Sequence, residues 1–80
     1  MSLLQKLKAV LTRGNRPSYQ ERVIAEAKEL DAKLVALTSF IANSPLYKKL
    51  PEAERRRLVR QSAAMFNYAS ILDERIRNFP

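Results

Sequence analysis

The 80-residue sequence contains no cysteine, no histidine, no tryptophan and only one glycine. Without cysteine, neither a disulfide nor a Cys/His zinc site can hold the chain together. Without histidine or cysteine, the chain also lacks the commonest general base and the thiol nucleophile. No Walker loop, serine-based triad or metal-binding motif is found, so we expect a protein that is not an enzyme and uses no metal or cofactor.

Long hydrophobic runs are also missing. No apolar stretch approaches the roughly 20 residues of a membrane span. At the N-terminus, lysines interrupt the apolar residues, whereas a signal peptide requires a continuous apolar core. We therefore expect a cytoplasmic protein without a membrane partner, and the absence of cysteine fits a reducing cytosol.

Positive charge is abundant: 15 Lys and Arg against eight Asp and Glu give a net charge of +7. This excess predicts a polyanionic or phosphate-bearing partner, but does not choose among DNA, RNA, anionic lipid and small phosphorylated ligands. The densest positive segment is ERRRLVR at residues 54–60. It is either a helix face neutralised by Glu52 and Glu54 or a surface that contacts phosphates.

The chain divides into two parts, both predicted to be helical. Residues 1–17 form a short amphipathic helix and a linker. Residues 18–80 form the main domain, which begins with a capping box made by Ser18 and Glu21. The first long helix of this domain is expected to end near Ala42.

Apolar residues alternate at spacings of four and three along two long segments, which is a heptad seam in each. A connection centred on Pro45 separates them, and Pro51 suits the first turn of the second long helix. Two matched seams with a short link predict an antiparallel αα-hairpin and an all-α fold. The seam residues are Val23, Ala27, Leu30, Leu34, Leu37 and Ile41, followed by Leu58, Ser62, Met65, Ala69, Leu72, Ile76 and Phe79.

Five further apolar residues fall off the seams, namely Ile24, Val35, Phe40, Phe66 and Ile71. Contiguous exposed apolar surface usually marks a contact. Either the N-terminal helix covers these residues or other subunits do. Because so short a chain buries a modest core, we expect a homo-oligomer.

The start of the first long helix reads SYQERV, with Tyr19 and Arg22 on the same side of the helix. In one interpretation, Tyr19 packs on a neighbouring helix and Arg22 pairs with Glu26. In the other, Tyr19 stacks on a base and Arg22 binds a phosphate near the positive end of the helix. The residues alone leave both interpretations open.

Residues 18–79 resemble the phage anti-CBASS and anti-Thoeris hairpin proteins. These proteins act as sponges that bind cyclic oligonucleotide signals of bacterial immunity and hold them intact, away from their effectors. The resemblance is carried by Tyr19, Gln20, Arg22, Val23, Leu30, Asp31, Lys33, Leu50, Pro51, Glu52, Gln61, Met65, Tyr68, Ile71, Leu72, Arg75 and Ile76.

The resemblance implies a hexamer with ligand pockets between protomers. It places Tyr19 and Lys33 in a pocket for cyclic dinucleotides and Arg75 in a pocket for cyclic trinucleotides. Arg22 and Tyr68 are further ligand-binding candidates, because packing alone does not explain them. Two features depart from the family pattern: the basic N-terminal helix at residues 2–13 and the strongly basic ERRRLVR segment.

The function expected from sequence is therefore a phage sponge in the host cytoplasm that sequesters cyclic di- and trinucleotides and blocks CBASS- or Thoeris-type signalling. Two alternatives belong to other classes. One is a small basic nucleic-acid-binding phage regulator. The other is a structural coiled-coil adaptor whose N-terminal helix docks on a membrane or a partner.

Overall fold

The computed structural model describes residues 16–80, and all its regular structure is helical. Three helices follow one another: α1 is Ser18–Asn43, α2 is Pro45–Lys49 and α3 is Glu52–Arg77. The long helices α1 and α3 pack against each other, which confirms the predicted all-α hairpin. The predicted N-terminal helix at residues 2–13 lies outside the described residues.

Helix α1 begins at the expected place but not by the expected mechanism. Pro17 occupies the N-cap position in an extended conformation, with φ −56° and ψ 147°, and no side chain among residues 16–80 caps the helix. The Pro17 carbonyl instead accepts hydrogen bonds from the backbone N–H groups of Gln20 and Glu21, at 3.0 and 3.3 Å. The predicted capping box is therefore wrong, because Ser18 is already the first helical residue and sits one position too late to serve as N-cap.

The connection contains the short helix α2. The Ser44 hydroxyl accepts a hydrogen bond from the Leu46 N–H at 3.2 Å and so caps this helix. Pro51 is the N-cap of α3 and not part of its first turn, one residue from the predicted position. Its carbonyl accepts from the N–H groups of Glu54 and Arg55 at 3.0 and 3.1 Å.

The hydrophobic core lies in the half of the hairpin near the chain ends, which we name the open half (residues 18–30 and 69–79). Leu72 is the largest fully buried side chain, at 1% exposure. Ile24, which the pattern placed off the seam, is also buried because burial on α1 extends around the helix to its neighbours one turn away, Gln20 and Ala27. The buried hydrophobic residues are Val23, Ile24, Ala27, Leu30, Ala69, Leu72 and Ile76.

The other half of the hairpin, residues 31–68, is named the loop half. Its seam residues are only half-buried: Leu34, Leu37, Ile41, Leu58, Ser62 and Met65. Val35 and Phe66 are exposed as predicted, at 56% and 63%. Phe40 is half-buried and meets Tyr47 edge to face, with ring centroids 6.1 Å apart.

Residues 16–80 lack two features that are typical of other protein classes. None of their helices combines the length and the apolar character that a membrane span requires. The same residues contain no group of three or more His, Cys, Asp or Glu side chains placed to hold a metal ion.

Candidate functional site

Three of the five predicted ligand-binding residues, Tyr19, Arg22 and Lys33, belong to α1. Their spacings of three, 11 and 14 residues return to nearly the same side of a helix with about 3.6 residues per turn. All three are exposed. They therefore form one stripe along α1, next to the seam.

The other two predicted residues, Tyr68 and Arg75, lie seven residues apart on α3 and share a side in the same way. Both are exposed, Tyr68 at 43%. Phe79 follows four residues after Arg75, and its ring meets the Tyr19 ring edge to face at a centroid distance of 6.0 Å. This contact brings the two stripes to the same side of the hairpin. We name the surface formed by these five residues the tyrosine face.

The five residues of the tyrosine face are not gathered at one point. The antiparallel pairing that joins Tyr19 to Phe79 places Arg75 opposite the first turns of α1, near Arg22. By the same pairing, Lys33 and Tyr68 lie at a similar level further along the hairpin, toward the loop half. Tyr19 and Lys33 are separated by about 21 Å along the helix axis, at a rise of about 1.5 Å per residue.

Tyr19 is held in place by its neighbours and remains partly open to solvent. Besides the contact with Phe79, its hydroxyl accepts a hydrogen bond from the Gln20 amide at 3.1 Å, and that amide's oxygen accepts one from Arg16 at 3.3 Å. Gln20 is 3% exposed, whereas Tyr19 is 44% exposed. The ring is therefore positioned by a buried amide and still offers surface to a ligand.

The packing interpretation of the SYQERV segment can be compared with these contacts. Tyr19 does pack on the end of the neighbouring helix, as the first interpretation holds. The Arg22–Glu26 ion pair that belonged to the same interpretation is not formed between these two described residues, and Arg22 is exposed. The guanidinium is thus available on the side of the helix where Tyr19 lies.

The opposite side of the hairpin carries an apolar groove between α1 and α3. Val35 is two residues from Lys33, and Phe66 is two residues from Tyr68, so each pair is separated by about 200° around its helix. The two exposed apolar residues therefore lie across the seam from the tyrosine face. The groove is lined by Asp31, Leu34, Val35, Thr38, Ser62, Ala63, Phe66 and Asn67.

A second groove lies at the loop end, beside α2 and the start of α3. We name it the loop-end groove; it is lined by Tyr47, Glu52, Arg55, Arg56, Val59 and Arg60. Within the ERRRLVR segment, Arg56 pairs with Glu52 at 2.6 Å and Arg57 pairs with Glu54 at 2.8 Å. The predicted pairing with these two glutamates is therefore confirmed for two of the arginines.

Two residues near these surfaces were given no role by the sequence analysis. Gln20 donates a hydrogen bond to the Tyr19 hydroxyl and is buried. The sequence indicated this role only by placing a polar residue one helical turn before the buried residues of α1. Tyr47 lines the loop-end groove, where it packs on Phe40. The position of Tyr47 depends on the short helix α2, and the heptad pattern of the long helices does not predict the geometry of that helix.

A family model described as Sequestin matches residues 17–78. This range is nearly the one over which the sequence resembles the phage sponge proteins, and the match confirms that resemblance. Neither the curated proteins nor the solved structures contain a significant match to the chain.

Proposed function

We propose that this chain, which belongs to the Sequestin family, is a phage sponge that binds cyclic di- and trinucleotides without cleaving them. By sequestering these messengers in the cytoplasm of the infected bacterium, it blocks CBASS- or Thoeris-type signalling. The observation that carries the proposal is the family match over residues 17–78, because the name Sequestin suggests a sequestering function.

The chemistry of the tyrosine face supports a cyclic oligonucleotide as the ligand. Such a ligand carries two or three phosphodiester charges and as many bases in one compact ring. Tyr19 and Tyr68 supply aromatic surface, and base–aromatic stacking contributes about 1–3 kcal/mol per base. Arg22 and Arg75 supply guanidinium groups, which bind phosphate oxygens in pairs.

The dispersal of these residues along the hairpin favours a site shared between copies. Tyr19 and Lys33 of one helix are about 21 Å apart along its axis, too far for one compact ligand to contact both. Such a ligand can contact Tyr19 of one protomer and Lys33 of another. Rotational symmetry also repeats each cation around a ligand that is itself symmetric. We therefore expect the functional unit to be a homo-oligomer, with the hexamer of the sponge family as its form.

Oligomerisation and ligand binding should stabilise each other. A net charge of +7 per chain repels neighbouring copies at close range. An anion that binds only the assembled form offsets this repulsion and shifts the equilibrium toward assembly. Sequestration requires this binding and no bond-breaking group, which fits a chain without histidine or cysteine.

The proposal is tested by incubating the protein with a panel of cyclic di- and trinucleotides, removing free ligand and releasing bound ligand by heat. Mass spectrometry should recover at least one ligand intact. Arg75→Ala should reduce recovery of the cyclic trinucleotides. The matched control is Arg57→Ala, which removes the same charge from α3 in the loop half and should leave recovery unchanged.

Two results would contradict the proposal. Hydrolysed ligand would make the protein an enzyme. If no member of the panel is recovered, the nucleic-acid-binding regulator becomes the better account, and a steep log-linear loss of duplex DNA affinity with salt would support it.

A further inference from the structure

The loop-end groove has a fixed aromatic wall. The Tyr47 hydroxyl donates a hydrogen bond to the backbone carbonyl of Arg55 at 3.4 Å, and the Tyr47 ring packs edge to face on Phe40. The ring is thereby attached both to α3 and to the end of α1. The exposed side of Val59 adds an apolar strip to the same groove.

The groove contains more guanidinium groups than its carboxylate can neutralise. Its three arginines against one glutamate leave a net charge of +2. Glu52 is engaged by Arg56, whereas Arg60 makes no ion pair with any residue of the described chain. The Arg55 Nε atom is buried and has no hydrogen-bond partner among residues 16–80.

An unmatched buried donor is costly, because the group has lost water without gaining a partner. Arg55 also lines the groove, so an anion held there would meet its guanidinium group. Arginine guanidinium groups bind phosphate oxygens in bidentate fashion. The groove has a volume of about 480 Å³, which is in the range of small-molecule sites.

The groove is separate from the tyrosine face. Val59 lies seven residues before Phe66, so it shares the side of α3 on which the apolar groove lies. Arg57 lies 11 residues before Tyr68 and falls on the opposite side of the same helix. The loop-end groove and the tyrosine face therefore occupy opposite sides of the hairpin.

We propose that the loop-end groove is a second binding site, specific for a phosphate ester of the nucleotide type. Arg55 and Arg60 bind the phosphate oxygens, and Tyr47 with Val59 contacts the organic part of the ligand. The phosphate ester can come from a free nucleotide or from a nucleic-acid strand. The site does not depend on whether the tyrosine face binds cyclic oligonucleotides.

The test is calorimetric titration of the full chain at low salt with adenosine 5′-monophosphate and, separately, with a short oligothymidylate. Arg60→Gln should weaken binding by roughly tenfold, the loss of one charged hydrogen-bonding contact. Arg57→Gln removes the same charge from the other side of α3 and should change affinity by less than about twofold. Arg60 is exposed, so this variant avoids the folding risk of replacing half-buried Arg55.

Arg75→Ala should leave binding of both probes unchanged, which separates the groove from the tyrosine face. Sensitivity of both probes to Arg60→Gln identifies the phosphate ester itself as the ligand group; sensitivity of the oligothymidylate alone identifies a strand as its source. The proposal is overturned if the wild-type chain binds neither probe. It is also overturned if Arg57→Gln weakens binding as much as Arg60→Gln, since binding would then follow total charge and not the groove.

Discussion

The open half and the loop half of the hairpin follow the same heptad spacing but pack differently. All the buried hydrophobic residues described belong to the open half, where Ala27 and Ala69 are the small seam residues. The distance between packed helices depends on the side chains at the contact. Small residues allow the two helices to approach closely, so that the larger side chains beside them become buried. In the loop half, the seam residues are leucine, isoleucine, methionine and one serine, and all of them stay half-buried.

The loop half also exposes more apolar surface on its flanks. Val35 and Phe66 lie beside its seam at 56% and 63% exposure, and no helix formed by residues 16–80 covers them. Heptad periodicity thus defines which residues face the partner helix, but the depth of burial depends on what else packs around the seam. The open half therefore contains the core of the single chain, and we expect the loop half to supply apolar surface for the proposed homo-oligomer.

The largest effect should come from the centre of the open half. Leu72→Ala removes a fully buried side chain and should lower the free energy of unfolding by about 2–5 kcal/mol. The same change at half-buried Leu37 should cost on the order of 1 kcal/mol, because less apolar area is lost. Urea unfolding of both variants at low protein concentration measures the difference. Equal losses would mean that the two halves are buried alike in solution.

The next largest effect concerns assembly through the loop half. The double variant Val35→Ser/Phe66→Ser should weaken self-association by about 2–4 kcal/mol per protomer, since two apolar side chains lose burial in the interface. Sedimentation velocity should show the oligomer dissociating while the helix content by circular dichroism is retained. Leu46→Ser is the control, an equally exposed apolar residue on α2. An oligomer that resists the double variant would place the subunit contact elsewhere.

Ligand binding should distinguish positions within the tyrosine face. Tyr19→Ala removes a stacking surface and should weaken cyclic dinucleotides by about 1–3 kcal/mol. Arg75→Ala removes a charged contact and should weaken cyclic trinucleotides by a similar amount, about 1.5–3 kcal/mol. Calorimetry of both variants with one ligand of each class measures which class each variant binds more weakly. If both variants lose the same ligands, one pocket serves both classes; if neither loses any, these are the wrong residues.

The smallest effect should come from substitutions at the N-termini of α1 and α2, which test whether a serine side chain caps each helix. Ser44→Ala removes the hydroxyl that caps α2 and should cost about 1 kcal/mol. Ser18→Ala should have almost no effect, because Pro17 already occupies the N-cap of α1 and no side chain caps that helix. Thermal unfolding of the two variants compares them directly. A larger loss of stability in Ser18→Ala than in Ser44→Ala would mean that the Ser18 side chain does cap α1.

The hairpin could be predicted from sequence because heptad spacing and helix breakers are local signals. The matched seams predicted the α1–α3 pairing, and Pro45 with Pro51 marked the connection between the helices. The capping box failed because Ser18 and Glu21 fit the motif by type, whereas Pro17 took the extended N-cap conformation first. Ile24 was wrongly predicted to lie outside the core. The heptad pattern assigns only two buried positions in every seven residues, whereas the width of the buried side of a helix depends on tertiary packing.

The candidate site was predictable in its residue types and less so in its arrangement. Helical periodicity places Tyr19, Arg22 and Lys33 on one side of α1 from sequence alone. That Tyr68 and Arg75 share this side of the hairpin required the contact between Tyr19 and Phe79. The loop-end groove depended on α2, a five-residue helix too short to produce a periodic signal.

The central claim is that an assembly of these hairpins holds a cyclic oligonucleotide intact, and native mass spectrometry tests both parts in one spectrum. With a cyclic dinucleotide or trinucleotide present, the account predicts an oligomer, expected to be a hexamer, whose mass exceeds that of the free assembly by whole, unmodified ligands. A monomer that carries no ligand, or a bound mass increased by one water through hydrolysis, would contradict it.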